Sequence, residues 1–136
     1  MQWIKLRVKF KEGEKSGRMY MNKRKTGTAY EVIAADYLKQ QGVQILKMNY
    51  RTLLGEIDII ARNKEILIFI EVKYRKNASY GYPWEAISIQ KQKKICQVAR
   101  QYIYSIHWEK QVRFDVISIC GNEVLWFPDA FEAKTW

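Results

Sequence analysis

One histidine and two cysteines in 136 residues leave this chain little scope for soft-metal or thiol chemistry. His107 alone cannot build a histidine-rich metal site, and it reads as a helix-end residue. Cys96 and Cys120 have neither CxxC spacing nor a His or Cys neighbour of the kind zinc requires, so both read as ordinary reduced cysteines. No apolar run approaches the roughly 20 residues that cross a bilayer, and the N-terminus lacks the uninterrupted hydrophobic segment of a secretory signal. The expectation is a soluble, cytoplasmic protein that does not engage membrane. Internal repeats and low-complexity segments are also missing, which argues against solenoids. Acidic residues are scarce: 14 Asp and Glu stand against 24 Lys and Arg, giving a net charge of +10. A small protein this basic usually meets a polyanion, and nucleic acid is the first expectation. The plain alternative is a solvated basic face.

What is present is a foldable core. Hydrophobic residues make up 48% of the chain and aromatics 14%, far from a disordered composition, and the length suits a single domain. The positive charge is concentrated at the start. Residues 1–25 carry nine Lys and Arg against Glu12 and Glu14, a local charge of +7. Within this arm Ile4, Leu6, Val8 and Phe10 alternate with Lys5, Arg7, Lys9 and Lys11, a strand pattern with one apolar and one basic face. The arm is open to four readings: an added edge strand, a contact along a phosphate backbone, a disordered tail, or a stretch upstream of a later start at Met19 or Met21. Residues 13–25 read as a polar linker, so residues 1–25 are treated as arm and linker and residues 26–136 as the domain.

From Thr28 the period becomes helical through Tyr30, Ile33, Ala34, Tyr37 and Leu38, stopping at Gly42. Thr28 and Glu31 fit a capping box, which would give Glu31 a purely local role. A strand over 43–50 follows, then a hairpin over 55–73. A loop rich in basic and aromatic residues comes next. A long helix is expected from about Pro83 to His107, with Ala86, Ile87, Ile89, Ile95, Val98, Ala99, Tyr102 and Ile106 inward and Gln90, Lys91, Lys93, Lys94 and Arg100 outward. Arg113–Cys120 and Glu123–Phe127 read as two strands joined at Gly121-Asn122. The order α-β-β-β-α-β-β predicts an α/β fold with helices flanking a mixed sheet.

The hairpin is the most informative stretch. Gly55-Glu56-Ile57-Asp58-Ile59-Ile60-Ala61 and Ile66-Leu67-Ile68-Phe69-Ile70-Glu71-Val72-Lys73 flank a polar turn. Strand alternation places Glu56, Asp58 and Ile60 on one face and Leu67, Phe69, Glu71 and Lys73 on one face of the partner. With Asn63-Lys64 as the turn, Asp58 would face Phe69 and Glu56 would face Glu71. Asp58 and Glu71 would then be diagonal neighbours roughly 7–8 Å apart at the backbone. Like charges so placed call for a cation, and oxygen-only donors suit Mg²⁺ or Mn²⁺. The plain alternative is a set of strand-end charges reaching water, with Lys73 as a surface ion-pair partner.

Read as chemistry, an acidic residue followed by carboxylate-x-Lys on the next strand suits metal-dependent phosphodiester hydrolysis. Asp58 and Glu71 would hold the metal, with the Val72 carbonyl as a further ligand. Lys73 would orient or deprotonate the attacking water, or neutralise the phosphate. Glu31 could complete the site, and Gln90 or Lys91 could reach the scissile phosphate. Arg75, Lys76, Tyr80 and Tyr82 are candidate nucleic-acid contacts, since basic residues track phosphates and aromatics stack on bases. Arg113 and Asp115 read instead as a structural ion pair.

These motifs carry a resemblance. Gly27 and Glu31, Asn49-Tyr50-Arg51, Gly55-Glu56-Ile57-Asp58, Glu71-Val72-Lys73 with Arg75, Tyr80-Gly81, Pro83-x-Glu85-Ala86, Lys91, Arg113-Phe114-Asp115-Val116 and Ala130-Phe131 are similar to the YraN-like family. That family consists of small bacterial proteins of the PD-(D/E)xK, restriction-endonuclease-like superfamily, related to archaeal Holliday junction resolvases. The resemblance covers about residues 26–131, and Ile57 stands where the superfamily motif has proline. It implies a restriction-endonuclease-like core with Glu31, Asp58, Glu71 and Lys73 as catalytic positions. It also implies Mg²⁺ or Mn²⁺ as cofactor and DNA, including branched DNA, as substrate. A homodimer would suit the paired cuts of a junction resolvase. A catalytically silent nucleic-acid-binding module or a DNA-repair accessory protein of the same fold is the alternative.

Overall fold

The computed structural model describes residues 6–9, 23–75, 87–121 and 123–133, with side chains from residue 29 onward. Eight elements follow in chain order: β1 (Leu6–Lys9), α1 (Lys23–Gln40), β2 (Gln44–Thr52), β3 (Gly55–Asn63), β4 (Ile66–Arg75), α2 (Ile89–Ile106), β5 (Gln111–Cys120) and β6 (Glu123–Phe131). They form one six-stranded sheet in the order β1-β6-β5-β4-β3-β2. Only β4 and β5 pair in parallel, because α2 carries the chain back between them. From α1 onward the order is the expected α-β-β-β-α-β-β. Of the readings left open for the arm, the edge strand is the one observed: Leu6–Lys9 pairs antiparallel with Trp126–Glu123. Residues 10–22, which include most of the anticipated linker, lie outside the described residues.

The apolar runs of β3 and β4 follow from their place at the centre, covered on both faces. Leu67 and Phe69 of β4 pack with Ile95, Val98, Ala99 and Tyr102 of α2. Ile68 and Ile70 point the other way, to Ala34, Ala35, Tyr37 and Leu38 of α1. Ile59, Ile66, Ile68, Ile70 and Val72 all belong to this second core.

Four details depart from the sequence reading. First, the hairpin turn is Lys64-Glu65, because Asn63 pairs with Ile66, Ile60 with Phe69 and Ile59 with Ile70. This register keeps apolar residues opposite apolar residues, where the anticipated one set Asp58 against Phe69. Lys64 takes the left-handed backbone (φ 54°), and Arg62 Nε donates to its carbonyl at 2.7 Å. Second, strict alternation fails at Asp58. Ile57 and Ile60, three residues apart, both enter the α2-side core, while Ile59 enters the other. Third, α1 starts at Lys23, so Thr28 lies inside the helix and the capping-box role for Glu31 does not hold. Fourth, α2 starts at Ile89, capped by Ser88, whose Oγ accepts from Lys91 N–H at 3.1 Å. Ile87 is buried, but Ile89 and Ile106 are exposed, one at each end of the helix where its inward stripe runs off the sheet. Pro83 and Ala86 lie outside the described residues. Among the described residues no helix is long and apolar enough to cross a membrane.

Candidate metal and phosphodiester site

The break in alternation at Asp58 is what assembles the site. Across the sheet, β2 pairs Met48 with Ile59 and Tyr50 with Ile57, so Asn49 lies beside Asp58. Asn49 adopts a left-handed backbone (φ 51°), which asparagine tolerates better than most residues. The paired register of β3 and β4 reaches Ile59–Ile70, and Asp58 and Glu71 come one position beyond it. There Asp58 Oδ2 accepts the backbone N–H of Val72 at 2.9 Å, which pins the carboxylate at the strand end. Gly55 opens β3 with φ 151°, a conformation that favours glycine, and a side chain there would meet Val98 Cγ2 at 3.5 Å.

Around Asp58 the carboxylates converge. Oxygen atoms of Glu31, Glu56 and Asp58 lie within 4.8 Å of one another, a grouping able to hold a metal ion. Glu31 arrives from α1 and Glu56 from β3, where Arg51 Nε also contacts Glu56 at 3.2 Å. Glu71, on β4 toward α2, is only 6% exposed. Its Oε1 lies 3.5 Å from Lys73 Nζ and 3.8 Å from Lys91 Nζ.

The electrostatics are strained toward protonation. Burial pushes the Glu31 carboxyl up to about 7, and the neighbouring Asp58 charge adds to the shift while Asn49 opposes it. Burial likewise raises Glu71 to about 8, with Asp58 again adding and Lys91 and Lys73 offsetting only part. Asp58 is thus the hub between the two. Glu31 Oε2 is buried with no hydrogen-bond partner among the described residues, a costly state for a carboxylate oxygen. An all-oxygen donor set with an unsatisfied buried oxygen fits Mg²⁺ or Mn²⁺.

The structure therefore brings Glu31, Asp58, Glu71 and Lys73 together, and sets Lys91, a candidate phosphate contact, against Glu71. Two members were missed as ligands or supports. Glu56 joins Glu31 and Asp58, and Asn49 buffers Glu31; the signal for Asn49 was an amide residue in mid-strand, where its β-propensity is low. For Val72, the amide rather than the carbonyl makes the described contact. Gln90 is exposed in the first turn of α2, and Arg75 is half-buried at the end of β4. Lys76, Tyr80 and Tyr82 lie outside the described residues. Arg113 and Asp115 form the anticipated structural pair, with Arg113 Nε and Nη2 donating to the two oxygens of Asp115 at 2.8 and 2.9 Å.

A mixed sheet with a helix on each face, and a carboxylate–lysine cluster where β3 begins and β4 ends, defines an α/β protein with a candidate divalent-cation site. The chain belongs to the family described as Uncharacterised protein family UPF0102, whose model matches residues 30–119; this is the YraN-like family that the motifs resemble. A UPF0102 protein of Lachnoclostridium phytofermentans is 46% identical over 115 residues, 83% of this chain and 98% of the relative. One from Syntrophotalea carbinolica is 46% identical over 111 residues, 78% and 90% of the two chains. One from Clostridium botulinum is 50% identical over 105 residues, 76% and 85%.

Proposed function

We propose that this protein is a Mg²⁺- or Mn²⁺-dependent endonuclease-like hydrolase of DNA phosphodiester bonds, with branched DNA as its preferred substrate. The observation that carries this reading is the half-buried grouping of Glu31, Glu56 and Asp58, with buried Glu71 coupled to Asp58 and flanked by Lys73 and Lys91. Carboxylates in that number disfavour one another unless a cation joins them. Glu31, Glu56, Asp58 and Glu71 are the residues that would hold the ion. When bound, a divalent cation stabilises charge on the attacked phosphate and acidifies water.

The chain's own residues would do the rest. Val72 N–H would hold the Asp58 carboxylate in place beside Glu31 and Glu56. Glu71 anchors the Lys73 and Lys91 ammonium groups, which would meet the anionic phosphate and offset charge on the leaving oxygen. Lys73, partly exposed, is the group placed to orient the attacking water. The net charge of +10 draws a polyanion to this acidic centre, which alone would repel it.

The test is cleavage of labelled linear, flap and four-way-junction DNA with Mg²⁺ or Mn²⁺. The expected outcome is cutting that drops at least 100-fold in Asp58→Ala and in Lys73→Ala, with both variants folded. A folded wild-type protein that binds DNA and cuts none of these substrates would overturn the enzyme reading in favour of a binding module of the same fold.

A further inference from the structure

The exposed side of α2 carries a pattern that the proposed chemistry does not use. Lys93, Lys94, Gln97, Arg100, Gln101 and Tyr104 recur at helical spacing and are all exposed, opposite the buried stripe of Ile95, Cys96, Val98, Ala99 and Tyr102. The 18 residues of α2 include four lysines and arginines and no acidic residue. Among the described residues, no carboxylate pairs with Lys93, Lys94 or Arg100. Unpaired charges of one sign along a helix repel one another, so a row of them is best neutralised by an external anion.

This face is continuous with the candidate site. Lys91, in the first turn of α2, reaches Glu71. Further along, Lys94 and Val98 lie against Gly55, the residue before Glu56 of the carboxylate cluster. Beyond them Gln97, Arg100, Gln101 and Tyr104 line one concavity together with Leu54 of the β2–β3 turn. Leu53 in the same turn is fully exposed, and Tyr104 is 83% exposed. From Lys91 to Tyr104 the helix rises about 20 Å, the length of roughly six nucleotide steps. A cationic row of that length ending in apolar and aromatic side chains matches a polynucleotide that presents phosphates along its backbone and a base face at a break in stacking. A second copy of the chain does not fit, since packing two such faces together would set lysine and arginine against their own kind.

We infer that the exposed face of α2 is a nucleic-acid track leading away from the candidate site, and that Leu53, Leu54 and Tyr104 at its far end take an unpaired base. The inference rests on the nucleic-acid substrate class proposed above, but not on catalysis. The experiment measures binding of the full chain to a blunt duplex and to a duplex with an unpaired bulge, by fluorescence anisotropy in EDTA over a series of salt concentrations. Lys94→Gln/Arg100→Gln lowers the slope of log affinity against log salt by about one per cation removed, on both DNAs. Leu53→Ser/Tyr104→Ala leaves the blunt duplex unchanged and weakens the bulged one about tenfold. All four side chains are exposed, so melting temperatures stay at the wild-type value. An unchanged salt slope, or equal losses on both DNAs in the second variant, overturns the inference even if wild type cleaves DNA. The expected shifts in a protein that cleaves nothing uphold it and sink the nuclease reading alone. Absence of any DNA binding, or binding to phosphatidylserine vesicles in its place that the same variants abolish, overturns both.

Discussion

Asp115 and Glu71 stand on adjacent parallel strands, two buried carboxylates in opposite circumstances. Asp115 is 0% exposed and takes four donors: Arg113 Nε, Arg113 Nη2, Trp126 Nε1 and the backbone N–H of Asp129. Both of its oxygens are satisfied, and the last bond holds Asp129 in a left-handed backbone (φ 56°) within β6. Glu71 is nearly as buried, yet its described partners are two lysines at 3.5 and 3.8 Å and another acid, Asp58. A buried carboxylate stabilises a fold only where donors match its lone pairs. Where acids are instead grouped, the surrounding fold holds them against their electrostatic preference, as functional sites often do.

The comparison can be broken or sharpened by experiment. The largest effect is expected at the satisfied acid. Asp115→Ala strands Arg113 and Trp126 Nε1 and frees Asp129, and thermal unfolding will show a loss of about 3–5 kcal/mol. A loss below about 1 kcal/mol would mean that the cluster braces nothing.

At the frustrated acids the effect is smaller and depends on pH. Glu31 and Glu71 hold protons to about 7 and about 8 in the folded protein, against an ordinary value of 4.5. The folded state therefore binds more protons than the unfolded chain from about pH 4.5 to 8, and stability falls as pH rises through that window. In EDTA the melting temperature will decline by several degrees between pH 5 and pH 8. Mn²⁺ will raise it more at pH 8 than at pH 5, because binding displaces those protons. A flat profile would place Glu31 and Glu71 in the same satisfied class as Asp115. The smallest expected change is Glu71→Gln, which removes one of the two contributors. It will flatten part of the EDTA profile and leave the stability at pH 5 within about 1 kcal/mol of wild type. A large loss at pH 5 would show instead that Glu71 is a structural acid.

Much of this was legible in the chain. The apolar run over 66–70 pointed to a central strand, because strands covered on both faces are apolar on both. The inward stripe at Ile95, Val98, Ala99 and Tyr102 gave α2 its buried side, and local spacing alone is enough for that. The pairing of Arg113 with Asp115 followed from two opposite charges two residues apart on one strand. Asp58, Glu71 and Lys73 stood out because acids and a lysine interrupt strands that packing would keep apolar, and Glu31 entered as a helix acid able to complete their site. The hairpin register was misjudged because Asn63 favours a left-handed turn locally, whereas the observed register was decided by pairing Phe69 with Ile60.

The sequence by itself determined the order of helices and strands, the buried stripe in the middle of α2, and which chemical groups are available, since these depend on short-range period and side-chain type. Tertiary structure alone decided that alternation breaks at Asp58, that Asn49 and Glu56 stand beside it, and that Lys91 from a distant helix reaches Glu71. Those facts rest on cross-strand register and on where two helices land against one sheet end. Such contacts join residues far apart in the chain, and no local pattern encodes them.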